Sequence, residues 1–394
     1  MNQPRALIAT IKPVSGGVPQ MTKFIAETLE AGGIEPVLAY YEPYSVTPAL
    51  SVPGFQLLHK RVGNEIRQDI NGYESYAIGA WLPEFEFTHY LPTKTWRKLI
   101  DTCQYYISVS GNCLAGLPYS LTDKKFLAWV ASSWSADRKD RAEHFPLHRR
   151  ILDKCVNSPI SQHMERKVLK TGTLLALSKY TRSAMNKTGG GIVCKTILPM
   201  PIDINQFIPK LRHTTIARVG FVGRIDDPRK NIKLLINAIA QCHKHNSDVT
   251  AIVIGSEPSE EVSKLVETLG LTEFVVFVGY VDRASIIPLL QSLDLFVVPS
   301  HQEGLCIAAL EAMACGCPVV STRCGGPEEF VLDNKTGFTV DKCATDMTNA
   351  ILKIVENREL RNRLSVNARS MVCNNYDKQT ALETLWNALR ETYQ

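Results

Sequence analysis

At 394 residues the chain is too long for one ordinary hydrophobic core, so two domains are expected. Its 45% hydrophobic and 21% charged content is that of a globular protein, and no run reaches the roughly 18 uninterrupted apolar residues of a membrane span. The formal charge of +5 is uneven: residues 1–200 hold 24 Lys plus Arg against 16 Asp plus Glu, and residues 201–394 hold 20 against 23. A basic first half suits an anionic acceptor or peripheral contact with an acidic membrane surface, while the lack of an Arg-rich tract speaks against nucleic acid. Eleven Cys residues without a secretory signal read as reduced thiols of a cytoplasmic protein.

In chain order, an apolar strand at residues 6–10 leads through the turn Ser15-Gly16-Gly17 to a helix at 21–30 and a second strand at 36–40. Glycine carries no Cβ, so this turn lets backbone approach a ligand closely. Residues 41–95 have no readable period, because Pro43, Pro48, Pro53, Pro83 and Pro92 interrupt it. Apolar runs return at 105–109, 126–131 and 173–178, each followed by a polar or helical segment, which is the pattern of a mostly parallel sheet wrapped by helices. The segment 129–150, WVASSWSADRKDRAEHFPLHRR, is either part of a cleft or a solvated helix over a packed Trp134. Its His144 and His148 are equally well surface residues.

Three prolines within ILPMPIDINQFIP mark a linker, placed at 201–216. Strand and helix then alternate afresh: strands at 217–224, 249–255, 274–281 and 293–298, with helices at 231–243 and onward to Gly270. Gly223 and Arg224 end the first of these strands, and Lys230 follows the loop IDDPR. Arg224 and Lys230 can both reach a phosphate at the carboxyl end of that strand.

The densest information lies in residues 299–326, PSHQEGLCIAALEAMACGCPVVSTRCGG. Its pattern predicts a helix from near Glu303 to Ala314, stopped by Gly316 and Pro318. Glu311 falls on the apolar face of that helix, where a carboxylate is expensive unless something hydrogen-bonds it, and its neighbours supply no partner. Eight residues of helix put Glu303 and Glu311 roughly 12 Å apart, and the N–H groups at the helix start, Gly304, Leu305 and Cys306, can receive an anion. A ligand with hydroxyls at both ends and phosphate between them fits. Cys315 and Cys317 read as buried packing rather than half of a metal site.

These motifs resemble a known family. Gly223-Arg224 with Lys230-Asn231, the Glu303-to-Glu311 spacing in EGLCIAALEAMACGCPVVST, CGGPEEFV and NKTGF are similar to the nucleotide-sugar domain of retaining GT-B glycosyltransferases of family four, over residues 217–373. The Gly16-Gly17 turn, ALSKYTRSAM and LPMPIDINQFIP extend the likeness loosely into the first half.

The resemblance implies a GT-B fold, two Rossmann-like doubly wound α/β domains facing a central cleft. Residues 1–200 would bind the acceptor and 217–376 the nucleotide sugar, with a C-terminal helix at 377–394 packing back on the first domain. The implied activity is metal-independent transfer of a sugar from a UDP- or GDP-linked donor to an acceptor hydroxyl, as in polysaccharide, glycolipid or glycoconjugate synthesis. Arg224 and Lys230 would take the diphosphate, Glu303 and the amides of Gly304 to Cys306 the transferred sugar, and Glu311 the ribose. Gly16 and Gly17 would approach the diphosphate from the first domain, and Tyr280 and Val281 would lie by the base. No Asp-x-Asp occurs that would hold a metal, so fixed positive charge would stabilise the leaving diphosphate. Many members carry a histidine near the reacting sugar, whereas WVASSWS has none. A GT-B epimerase or phosphorylase needs acid/base groups or a pyridoxal lysine not located here, a non-catalytic nucleotide-sugar binder would not need all four charged residues, and a nicotinamide dehydrogenase would need a GxGxxG after a strand.

Overall fold

The structure is a computed structural model that describes residues 3–12, 16–69, 72–135, 138, 145–210, 216–245 and 248–394. Ser15 and His144 lie outside the described residues. The chain divides into two compact units, Met1–Leu198 with Leu382–Gln394, and Pro199–Ala381.

The first unit is built on eight strands, β1 (Arg5–Thr10), β2 (Glu35–Tyr41), β3 (Asn64–Asp69), β4 (Tyr73–Ile78), β5 (Tyr105–Ser110), β6 (Leu127–Val130), β7 (Thr173–Ala176) and β8 (Thr196–Ile197). They lie in the order β3-β4-β2-β1-β5-β6-β7-β8, parallel throughout except for β3 against β4. The central strands are apolar runs because both faces are covered; every residue of β1 beyond Arg5 is buried. The β3–β4 hairpin falls in the stretch whose period the prolines hid. Its outer strand reads NEIRQD, polar and mostly exposed, as an edge strand should be.

Behind this hairpin, Glu42 is fully buried at the end of β2 and is held by Lys12 Nζ at 2.7 Å and Arg67 Nη1 at 3.1 Å. A buried carboxylate with two cations and Thr47 beside it is satisfied, so this cluster fixes the edge of the sheet.

The last helix, Lys378–Tyr393, buries Ala381, Leu385, Ala388 and Leu389. Its Tyr393 hydroxyl accepts from the Tyr106 amide at 2.6 Å and donates to the Tyr106 carbonyl at 2.7 Å. Losing that hydroxyl leaves two part-buried backbone groups of β5 unpaired, each worth about 1–3 kcal/mol. Tyr393→Phe is therefore expected to lower the urea midpoint of the unfolding transition that reports on the first unit, read by tryptophan fluorescence.

The second unit holds β9 (Ala217–Gly223), β10 (Val249–Gly255), β11 (Val275–Gly279), β12 (Leu295–Val298), β13 (Val319–Thr322) and β14 (Gly337–Val340). All its pairings are parallel, in the order β11-β10-β9-β12-β13-β14. The order reverses between β9 and β12, and in open α/β sheets ligands bind outside the carboxyl ends of the strands at such a switch point. The core forms where Ile232, Leu235, Ile236 and Ile239 of the Ile232–Lys244 helix meet Val219, Phe221, Leu295 and Val297 of the sheet and Met347 and Ile351 of the Ala344–Val355 helix. Cys315 and Cys317 are buried in this unit, the Cys317 thiol facing the carbonyls of Leu290 and Leu293, and all eleven cysteines are free thiols. Among the described residues no helix is long and apolar enough to cross a membrane.

Candidate functional site

The loops after β9, β12 and β13 leave the carboxyl edge of the second sheet side by side. The first carries Arg224, Asp227 and a short turn, Pro228–Lys230. Asp227 organises it: Oδ2 accepts from Arg224 Nη2 at 2.5 Å and Arg229 Nη2 at 2.7 Å, while Oδ1 accepts from the Arg229 amide and Nε at 3.1 Å. Burial works to raise the Asp227 pKa, but the bonds and charge of Arg229, then Arg224, overcome it and hold the carboxyl down at about 2. Arg224 keeps half of its side chain in solvent. At the end of β9, a Cβ on Gly223 would meet the Phe221 ring at 3.0 Å and Lys230 Cε at 3.5 Å, so the strand end fits the lysine stem closely.

Lys230 crosses to the second loop, where Nζ donates to Glu303 Oε1 at 2.7 Å. The same oxygen accepts from Ser300 Oγ at 2.6 Å. Desolvation disfavours the ammonium, yet Glu303 and the neighbouring Cys306 and Asp227 outweigh it and hold Lys230 above its usual pKa. The loops are also joined by their backbones, His301 donating to the Arg229 carbonyl at 2.7 Å.

Glu303 does not open a helix. The helix is Ile307–Ala314, and the expected start near Glu303 is corrected. The reason is a competing pairing: the Glu303 amide donates to the Cys324 carbonyl at 2.8 Å and its carbonyl accepts from the Gly326 amide at 3.0 Å, so Glu303 bridges to Gly325 as extended backbone. Cys306 then turns the chain into the helix in the left-handed region, φ 70° and ψ 72°, an uncommon place for a residue with a side chain. The distance reckoned along a continuous helix between Glu303 and Glu311 accordingly does not apply. The amides of Gly304, Leu305 and Cys306 precede the helix, and among the described residues they donate to no backbone acceptor. Gly326 supports them from below: a Cβ there would lie 2.3 Å from the Gly304 carbonyl oxygen and 2.6 Å from Leu305 Cα.

Glu311 has the partner its own segment lacks. Arg283, at the start of the Arg283–Gln291 helix, donates from Nη1 to Glu311 Oε1 at 2.9 Å. Burial nevertheless keeps the Glu311 carboxyl above its usual pKa, with Arg283 pulling the other way. Tyr280 and Val281 lie in the loop after β11, Tyr280 well exposed. Gly16 and Gly17 belong to the first unit, where Gly16 caps the Gly17–Ala31 helix with φ 129°.

The structure thus brings Lys230 and Glu303 into contact and sets Arg224 beside them through Asp227. Asp227, Ser300 and Arg283 were not singled out from the sequence. Asp227 sits in the quoted IDDPR loop and could have been found there, whereas nothing in the sequence links Arg283 to Glu311. In the first unit, Ser132, Ser133 and Trp134 after β6 are buried, and buried Glu165 accepts from the Trp134 amide at 2.7 Å and Ser135 Oγ at 2.6 Å. His148 is exposed.

Residues 203–371 match the family model described as glycosyl transferases group 1. The match lies within the second unit. Among curated proteins, the chain is 30% identical over 223 residues to the GDP-mannose-dependent alpha-(1-6)-phosphatidylinositol monomannoside mannosyltransferase of Mycolicibacterium smegmatis, covering 52% of this chain and 58% of that protein. It is 31% identical over 186 residues to D-inositol 3-phosphate glycosyltransferase of Corynebacterium jeikeium, covering 42% and 44%. The chain therefore spans about half the length of the curated relatives it matches. Its fold is similar to sucrose-phosphate synthase from Thermosynechococcus elongatus, with TM-score 0.76 and 19% identity over 99% of both chains. It is similar also to Anabaena HepE in complex with UDP-glucose, with TM-score 0.72 and 18% identity over 99% of this chain and 100% of that one. The fold is GT-B, two α/β units each with its own sheet.

Proposed function

We propose that the protein is a retaining glycosyltransferase that moves a sugar from a nucleoside-diphosphate sugar to an acceptor hydroxyl. The observation that carries this reading is the Lys230–Glu303 contact at the switch point, flanked by Arg224 and by the amides of Gly304 to Cys306. Cationic groups, a carboxylate and unused N–H donors on one strand edge suit a ligand that is part anion and part polyol. These loops fall within residues 203–371, which match the group 1 family model, and the Mycolicibacterium smegmatis relative is GDP-mannose-dependent while HepE forms a complex with UDP-glucose.

In this reading Arg224 and Lys230 face the diphosphate, and Arg224 exchanges Asp227 for phosphate oxygens. Glu303, whose Oε1 is occupied by Lys230 and Ser300, offers Oε2 to the sugar hydroxyls, and Glu311 receives the ribose. As the bond from the anomeric carbon to the phosphate oxygen breaks, negative charge grows on the leaving diphosphate, where fixed cations and amides lower the barrier. The acceptor oxygen bonds to that carbon on the face the leaving group departs, and its proton passes to the released phosphate. Residues 1–200 bind the acceptor, an anionic or membrane-associated molecule in keeping with their basic balance.

The test is a thermal-shift panel of UDP, GDP and their sugars, run with excess chelator. At a nucleotide concentration about 100 times its dissociation constant, a bound ligand stabilises by about 2.7 kcal/mol. A clear rise in melting temperature with at least one nucleotide is expected, and a flat panel would overturn the donor site.

A further inference from the structure

We propose that Arg283 is a positioning residue for the donor site: its guanidinium keeps Glu311 ionised and aimed, so that Glu311 can accept a ribose hydroxyl. This rests on the donor reading above.

Glu311 is 3% exposed on a helix whose Ala309, Leu310, Ala312 and Met313 are all buried. Such surroundings favour the neutral acid, which has turned one of its two acceptor oxygens into a donor and is a poorer partner for a diol. Arg283 is the charged group that bears on it, through the 2.9 Å bond to Oε1, which leaves Oε2 to accept. Two other charged groups on neighbouring elements are engaged elsewhere. Arg369, on the Arg358–Asn375 helix packed against Glu311's own helix, donates to the carbonyls of Ala314, Phe207 and Ile204. Asp294, just before β12, accepts from the Arg218 amide at 2.9 Å and faces Arg361.

Arg283 is held for this task. Asp282 starts its helix by accepting from the Ser285 amide at 2.7 Å, and the guanidinium lies over the Phe207 ring at 5.2 Å. Its side chain is 43% exposed. An arginine with one end in water neutralises a buried carboxylate without being buried itself, which is the cheaper way to keep charge in such a place.

The sign of the pH effect follows. Arg283 lowers the Glu311 pKa against burial, so removing it raises that pKa further, and Glu311 then protonates at a higher pH than in the wild type. Calorimetric binding of UDP and GDP is measured from about pH 6 to about pH 9 for the wild type, Arg283→Ala, Arg283→Lys and the double variant Arg283→Ala/Glu311→Gln. For the nucleotide that binds, we expect wild-type affinity to change less with pH than that of Arg283→Ala. Arg283→Ala should bind about tenfold more weakly at the acid end than at the alkaline end, and Arg283→Lys should recover most of the loss. The double variant, with no carboxyl to titrate, should be weak and flat. A loss in Arg283→Ala that is equal at both ends, or no loss at all, would overturn the inference while leaving the donor site standing. Absence of UDP and GDP binding to the wild type overturns the donor reading itself, and Arg283's role with it.

Discussion

Lys230→Ala is expected to lower turnover about 100-fold or more, the scale on which a preorganised oxyanion donor is lost. Two effects act together. The variant removes a cation aimed at the leaving diphosphate, and it strips Glu303 of a charged partner in a loop with little solvent. Arg224→Ala belongs to the same class, with one difference that can be measured. Arg224 is half exposed and tied to Asp227, so its removal frees Asp227 to pair with Arg229 alone and leaves the loop standing. The melting temperature of Arg224→Ala should stay near that of the wild type while turnover falls, whereas Lys230→Ala should lower both. Steady-state turnover with the donor that the thermal-shift panel selects decides the matter, and near-normal rates in either variant would remove the cradle from the mechanism.

Gly326→Ala should be nearly as damaging although it adds one methyl group and no charge. That methyl would stand 2.3 Å from the Gly304 carbonyl oxygen, with Leu305 Cα only 2.6 Å away, and both neighbours are backbone. Backbone cannot rotate aside, so the 304–306 segment must shift by an appreciable fraction of an ångström. Misplacing reacting groups by about 1 Å costs on the order of 100-fold. The expected signature is a large fall in turnover together with a fall in melting temperature, because Cys324 and Gly326 are both buried. Unchanged turnover would mean that the amides of Gly304 to Cys306 take no part.

Four strands of the second unit, β9 to β12, could be read from its sequence because each is an apolar run closed by glycine or proline, and parallel strands covered on both faces look that way. The first unit was less legible where β3, NEIRQD, sets Glu65, Arg67 and Asp69 on one face and Asn64, Ile66 and Gln68 on the other, so that neither face reads as apolar. At the site, the residues that meet were visible as types and spacings, but their supports were not. Glu303 was taken into the helix because EGLCIAALEAMA is apolar and helix-favouring from its third residue on. What stops the helix at Ile307 is a hydrogen-bonded pairing to residues more than twenty positions away, which no local pattern reports. The partner of Glu311 was inferred to exist from the cost of burying a carboxylate, and it is Arg283, 28 positions earlier in the chain. Physical chemistry could demand that partner but could not name it.

The reversal of strand order between β9 and β12 has a consequence for how the protein matures. Lys230 and Glu303 lie 73 positions apart, and the Glu303 loop is clamped by residues that follow β13. A ribosome emitting this chain has therefore made Arg224 and Lys230 long before Glu303 exists, and the clamp comes later still. The pocket edge closes only once the fifth strand of this sheet has docked beside the fourth. Nucleotide affinity is then an all-or-none readout of a finished second unit, and a nascent chain halted before Gly326 should be blind to the donor even with every charged residue of the cradle already in place.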